Sequence, residues 1–183
     1  DPSRSHARLA FDRAPAELLG NAADGWRILE QVQDRAAVLL AFEQVGGAQK
    51  CLEDAKEYAL NRYAFGRPIA SFQAIKHKLA DVYMATELAR SNAYFGAWAL
   101  NTGAAELPVA AAAARVAANK AFTLAAEENI QTHGGMGFTW EFDCHLYLRR
   151  AKLLALALGG ERTWKNRLVS QLERRNIAAT QAA

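Results

Sequence analysis

Cysteine is almost missing from this chain of 183 residues: Cys51 and Cys144 are the only two. That is too few for a disulfide framework or a thiolate metal cluster, so no metal site is expected. Lone thiols of this kind fit a reducing compartment, where they act as small buried hydrophobes, and a cytoplasmic setting is expected. Proline is scarce, with four residues, while alanine is used heavily. Because Ala is the best helix former and Pro the worst, the balance favours helices. No run of about 18 apolar residues exists, which excludes a membrane span. No basic-then-apolar opening stretch reads as a secretory signal, and Asp1 in place of Met reads as a natural start lying elsewhere. Charge of one sign is lacking too: 22 Lys plus Arg stand against 19 Asp plus Glu, a net +3. So small an excess argues against nucleic acid as the main partner.

What is present is an apolar half, 51% of the residues, enough to build one domain with a core. Residues 1–20 stand apart. The alternating run Arg8-Leu9-Ala10-Phe11-Asp12, bracketed by Pro2 and Pro15, reads as the end of a sheet whose other strands are elsewhere. From Asp24 onward the period is helical. Val38, Ala41, Val45, Ala48, Leu52, Ala55 and Ala59 recur at steps of three and four, one stripe of a long helix. A break at Gly66-Arg67-Pro68 follows. Ser71 is a candidate N-cap for a second helix, carried by Ile75, Leu79 and Val82 and closed at Asn101-Thr102-Gly103. A third, Ala-rich segment over about 107–132 is expected at the centre, since small side chains let neighbours approach closely. A fourth covers about 143–158, and a fifth runs from Gly159-Gly160 to Arg174. The expected fold is all-α, an antiparallel four-helix bundle over 21–175, with a β remnant at 1–20 and a frayed tail at 176–183.

Two stretches carry candidate chemistry. In Gln131-Thr132-His133-Gly134-Gly135-Met136-Gly137-Phe138, consecutive glycines let backbone approach a ligand closely, and Gln131 adds an amide donor. A helix-to-helix turn with Schellman-type glycines explains the same text. In Asn61-Arg62-Tyr63-Ala64-Phe65-Gly66-Arg67-Pro68-Ile69, followed by Phe72-Gln73, both arginines could meet phosphate oxygens. Phe65 could stack on a purine and Gln73 could bond a base edge. The plainer reading is a helix C-terminus with Arg complementing the dipole and Gly66 as the stop.

Taken together with Tyr147-Leu148-Arg149-Arg150-Ala151-Lys152 and Val45-Gly46-Gly47-Ala48-Gln49, the two stretches resemble the carboxyl-terminal helical domain of the acyl-CoA dehydrogenase family. The likeness covers nearly the whole chain. It implies FAD held between subunits, with Arg62, Ala64, Phe65, Phe72 and Gln73 on its ADP half. Gln131, His133, Gly134 and Gly135 would touch the pyrophosphate and adenosine side from the facing subunit. Asp34 falls where the family contacts the pantetheine arm of CoA, but the Arg usual three residues on is Ala37 here. The implied partners are an acyl-CoA, a second or related subunit in a dimer or tetramer, and an electron acceptor.

The departures concern catalysis. Family enzymes remove the α-proton of an acyl thioester with a Glu while the β-hydrogen leaves as hydride to the flavin. At the two positions where that base is found, this chain has Leu158 and Ala36, neither able to accept a proton. The expected role is a non-catalytic partner similar to heteromeric actinobacterial relatives. Two alternatives stand beside it: a displaced base, Asp34 or Glu161, and a helical interaction module without cofactor. His145 is expected to be structural, Arg149-Arg150 to form a salt bridge, and Trp140-Glu141 to shape a domain contact.

Overall fold

The stripe on the first helix decides the architecture, because a 37-residue amphipathic rod about 55 Å long must bury its apolar side against other helices. In the computed structural model, which describes residues 1–181, that rod is α1 (Gly25–Asn61), entered through a 3-10 turn over Ala22–Asp24. The Asn21 side chain accepts the Ala23 N–H and starts that turn. Four further helices follow: α2 (Gln73–Thr102), α3 (Leu107–His133), α4 (Cys144–Leu156) and α5 (Glu161–Gln181). Every stripe residue from Val38 to Ala59 is buried except Leu52, which is half-buried. The all-α bundle is as expected.

α3 is the central element, packed against α1, α2, α4 and α5. Its alanines at 110–112, 114, 118, 121 and 125–126 are buried, which lets four neighbours close around it. Phe122 is the exception in size, and Gly47 on α1 makes room for it. A Cβ at Gly47 would stand 2.5 Å from the Phe122 ring, so the glycine is a packing slot. Gly103 ends α2 at φ +63, the left-handed cap expected there. Both cysteines are buried and free, and burial pushes the Cys51 thiol up to about 12 and Cys144 up to about 11.

Residues 8–12 find no ladder partner among the described residues, and the other strands of the sheet expected of them lie elsewhere. Three expectations are corrected. Ser71 is not an N-cap: its hydroxyl donates to the Pro68 carbonyl at 2.7 Å, and α2 starts after Phe72 without a side-chain cap. The tail does not fray at 176, since α5 continues to Gln181 through residues with no Gly or Pro to stop it. Ala182 and Ala183 lie outside the described residues. Finally, α1 does not end on Gly66. It ends at Asn61, Arg62 turns extended, and the chain makes a two-stranded hairpin, β1 (Tyr63–Ala64) with β2 (Arg67–Pro68). Among the described residues no helix is long and apolar enough to cross a membrane.

Candidate functional site

The hairpin is built on a two-residue turn. Ala64 pairs with Arg67, leaving Phe65 and Gly66 between them at φ +53 and +77. Positive φ at both positions is the type I′ pattern that matches the twist of paired strands. Glycine adopts it freely, but a bulky aromatic does so at a cost of roughly 1–2 kcal/mol. Yet Phe65 stands 94% exposed at the tip. Behind it, Phe72 meets the Phe65 ring edge-on at 6.3 Å, and the Arg67 guanidinium lies 4.1 Å over the Phe72 ring. Arg62 and Gln73 are exposed on either side, and Ala64 is half-buried. A strained, presented aromatic between two arginines and a glutamine is a surface shaped for a flat, anion-bearing ligand.

The glycine stretch is a 3-10 turn, Gly134–Phe138, rather than an open loop. Gly134, at φ +62, caps α3, and its N–H is engaged by the Gln131 and Ile130 carbonyls. It therefore offers no free donor to a phosphate. A Cβ on Gly134 or Gly135 would meet nothing within 4 Å, so both present bare backbone, whereas one on Gly137 would strike the Ile130 carbonyl at 2.8 Å. Gln131 and Gly134 line a cleft of about 390 Å³ against Phe138 and Leu148. His133 lines a different cleft from Gln131 and Gly134. Its imidazole is buried and turned the other way, stacked 4.1 Å from the Tyr58 ring. Since Tyr58 lies one turn before Arg62, the hairpin and the glycine turn occupy the same end of one bundle.

The two positions at which the resemblance expects the base, 36 and 158, are apolar. Ala36 is half-buried on the α1 face that carries exposed Leu29, Val32 and Leu39. Leu158 sits between α4 and α5 at φ +61, next to Gly159 at φ +97. Its carbonyl accepts the Trp164 indole N–H at 3.1 Å. One residue earlier, the Ala157 carbonyl accepts from Arg115 at 2.7 Å, and the same guanidinium also donates to the Leu154 carbonyl. Arg115 is fully buried; its Nη1 donates to Gln44 and Gln44 in turn to Asn119, each at 2.6 Å, while its Nε has no partner among the described residues. Burial pushes this guanidinium down to about 10, still cationic at neutral pH. Arg115 escaped the sequence reading, although its place on the α3 stripe at 111, 115, 118 and 122 is a signal: a charge there must find polar partners.

Asp34, Glu43 and Glu161 each stand in an ion pair. Glu161 pairs with Lys165 at 2.5 Å, and Glu43 with Arg4 at 3.0 Å and Arg150 at 3.5 Å. Arg150 also meets Asp1 at 3.1 Å, the salt bridge expected of the arginine pair. Asp34, only 4% exposed, pairs with Arg167 of α5 at 2.8 Å. Its pKa is raised because desolvation outweighs the attraction of Arg167. A raised folded pKa means stability falls as pH climbs through that pKa. Removing the carboxylate should therefore cost little, while removing its partner should cost much. We expect Asp34→Asn to lower stability by about 1 kcal/mol at most and Arg167→Met by roughly 3–5 kcal/mol. Only the latter should regain stability on acidification through the carboxylate range, a comparison that urea titrations at pH 7 and pH 4.5 read directly. His145 is held by its Nδ1 at 3.1 Å from the Phe142 carbonyl and packs edge-on against Trp140 at 4.4 Å, a structural placement.

A family model, acyl-CoA dehydrogenase, C-terminal domain, matches residues 23–172. Acyl-CoA dehydrogenase IpdE2 of Mycobacterium tuberculosis is 46% identical over 141 residues, 77% of this chain and 42% of the relative. Butyryl-CoA dehydrogenase from Megasphaera elsdenii superposes with a TM-score of 0.80 at 30% identity, over 84% of this chain and 40% of that one. The ChsE4–ChsE5 complex from Mycobacterium tuberculosis gives a TM-score of 0.74 at 29% identity, over 78% and 39%. The chain thus spans less than half the length of these relatives.

Proposed function

The chain belongs to the acyl-CoA dehydrogenase family, and from that premise we propose that it is the flavin-cradling carboxyl-terminal part of a subunit without a catalytic base, working beside a related subunit that has one. The observation that carries the reading is the chemistry around position 158. Leu158 and Ala36 cannot take a proton, and the carboxylates of Asp34, Glu43 and Glu161 are all held in ion pairs. The displaced-base alternative would draw on carboxylates that each already face a cation.

The family is FAD-dependent, and the exposed residues fit that group. Arg62 has no ion-pair partner among the described residues and would meet pyrophosphate oxygens, as would Arg67. Phe65 would stack on the adenine, Gln73 would bond its edge, and the bare backbone at Gly135 leaves room for close approach. Gln131 would add an amide donor from the neighbouring cleft. When bound, the flavin supplies the acceptor for the substrate's β-hydride. The α-proton must go elsewhere, to a base that the related subunit supplies.

Subunit association is supported by an apolar stripe on α2, where Met84, Leu88, Phe95 and Trp98 are each 43% exposed or more, with Phe95 and Trp98 stacked at 5.5 Å. A solved neighbour described as a complex of two differently named subunits supports a heteromer. The test is turnover. The full-length protein alone, given acyl-CoA thioesters and an artificial electron acceptor, should show none, and co-expression with a related base-bearing subunit should restore it. Turnover by the lone protein at ordinary enzyme rates, about 1–1000 per second, would overturn the reading.

A further inference from the structure

His133 belongs to the glycine motif, but the flavin reading leaves its side chain without a task. Its Nδ1 lies 2.9 Å from the Asn129 carbonyl, which can only accept, so Nδ1 carries the proton and donates. In the neutral ring Nε2 is then an acceptor. It has no hydrogen-bond partner among the described residues, and the residue is only 5% exposed. The ring lines a cleft of about 440 Å³ on the side away from Gln131 and Gly134, between the end of α1 and the start of α4.

The rest of that lining has one character. Tyr58 and Phe142 flank the imidazole, their ring centroids 4.1 and 5.1 Å from it. Around them stand Glu57, Glu141 and Asp143, none of which joins an ion pair among the described residues. The one cation of the lining, Lys50, is already bound to Asp54 at 2.6 Å. The cleft therefore offers aromatic surface, three carboxylates outside any ion pair and the His133 imidazole, and it offers no free lysine or arginine. A phosphate-bearing ligand would be repelled. A metal ion has no place to sit, since no cluster of three ligating side chains occurs among the described residues.

The geometry points to a binding site for a guanidinium group. That cation is planar and weakly hydrated, it stacks on aromatic rings, and its five N–H donors can meet carboxylates and Nε2 at once. A compact ammonium would use the carboxylates but waste the ring faces. The guanidinium can come from an arginine side chain of another protein or subunit, or from a free guanidino compound, and the cleft chemistry is the same for both. This site stands apart from the flavin cradle and does not depend on it.

Calorimetry on the full-length protein tests the inference with three probes: N-acetyl-arginine methylamide, its neutral isostere N-acetyl-citrulline methylamide, and agmatine. The arginine amide or agmatine should bind at least about tenfold tighter than the citrulline amide, the difference of one charge-assisted pair. Glu141→Gln, at an exposed position where folding is not at risk, should remove most of that preference. His133→Phe, which keeps the aromatic stack but deletes the acceptor, should do the same with the thermal midpoint checked alongside. Tighter binding of the blocked arginine assigns the site to a protein side chain, and tighter binding of agmatine assigns it to a free compound. Equal binding of arginine and citrulline amides, or a preference untouched by both variants, overturns the site.

Discussion

Replacing Arg115 by Met should lower the stability of the bundle by roughly 3–5 kcal/mol, with the helical signal lost at a midpoint about 10 °C lower. Methionine fills much of the same space, so the loss does not come from a cavity. It comes from acceptors that cannot be removed. The Leu154 and Ala157 carbonyls are backbone, and Gln44 would keep its amide relay to Asn119 with one side empty. Each buried acceptor left bare costs about 1–3 kcal/mol. Replacing a whole buried ionic network by apolar side chains is often neutral, but that escape is closed where the partners are main-chain groups. The effect should also be local before it is global. Amide exchange at 157–160 should quicken first, because Arg115 and the Trp164 indole together hold Leu158 at its strained positive φ. A midpoint within 2 °C of the parent would show that the clamp contributes little.

The second large effect has two opposite signs. Phe65→Gly should stabilise the protein by about 1 kcal/mol at most, since glycine takes the φ +53 turn position without strain and the 94% exposed ring gives up only its edge contact with Phe72. The same change should cut flavin retention by the full-length assembly about ten- to a hundredfold, because base–aromatic stacking is worth roughly 1–3 kcal/mol. A structural residue would move both quantities the same way. Thermal denaturation and the flavin-to-protein absorbance ratio, measured on one preparation, separate the cases: lower stability with unchanged flavin would remove Phe65 from the site.

How much of this was legible beforehand depends on the kind of signal each residue leaves. The α1 stripe and the Ala-rich centre of α3 are repeated patterns, so each residue supports the others and both helices fell where expected. The hairpin at 63–68 is four paired residues long, and its Phe-Gly turn lacks the usual Asn or Asp before Gly. A Gly following a helical run therefore read as a helix stop. For the run at 8–12, alternation shows that the segment suits a sheet, while pairing needs partner strands that the described residues do not supply. Within the glycine motif, spacing placed Gln131, His133, Gly134 and Gly135 on one ligand. Spacing cannot tell that the Gly134 N–H is occupied by the end of α3 or that the His133 ring turns to another cleft. Likewise, the substitutions at Leu158 and Ala36 were readable directly, while the ion pairs that occupy Asp34, Glu43 and Glu161 are facts of three-dimensional contact.

The most direct test of a subunit without a base uses the full-length protein assembled with its related partner, in which the partner's candidate base glutamate has been changed to glutamine. Acyl-CoA is added without oxygen and the flavin absorbance is followed. The account expects the yellow colour to persist, because neither Ala36 nor Leu158 can take the α-proton. Bleaching at the rate of the unaltered assembly would contradict it, and would place the base on this chain after all.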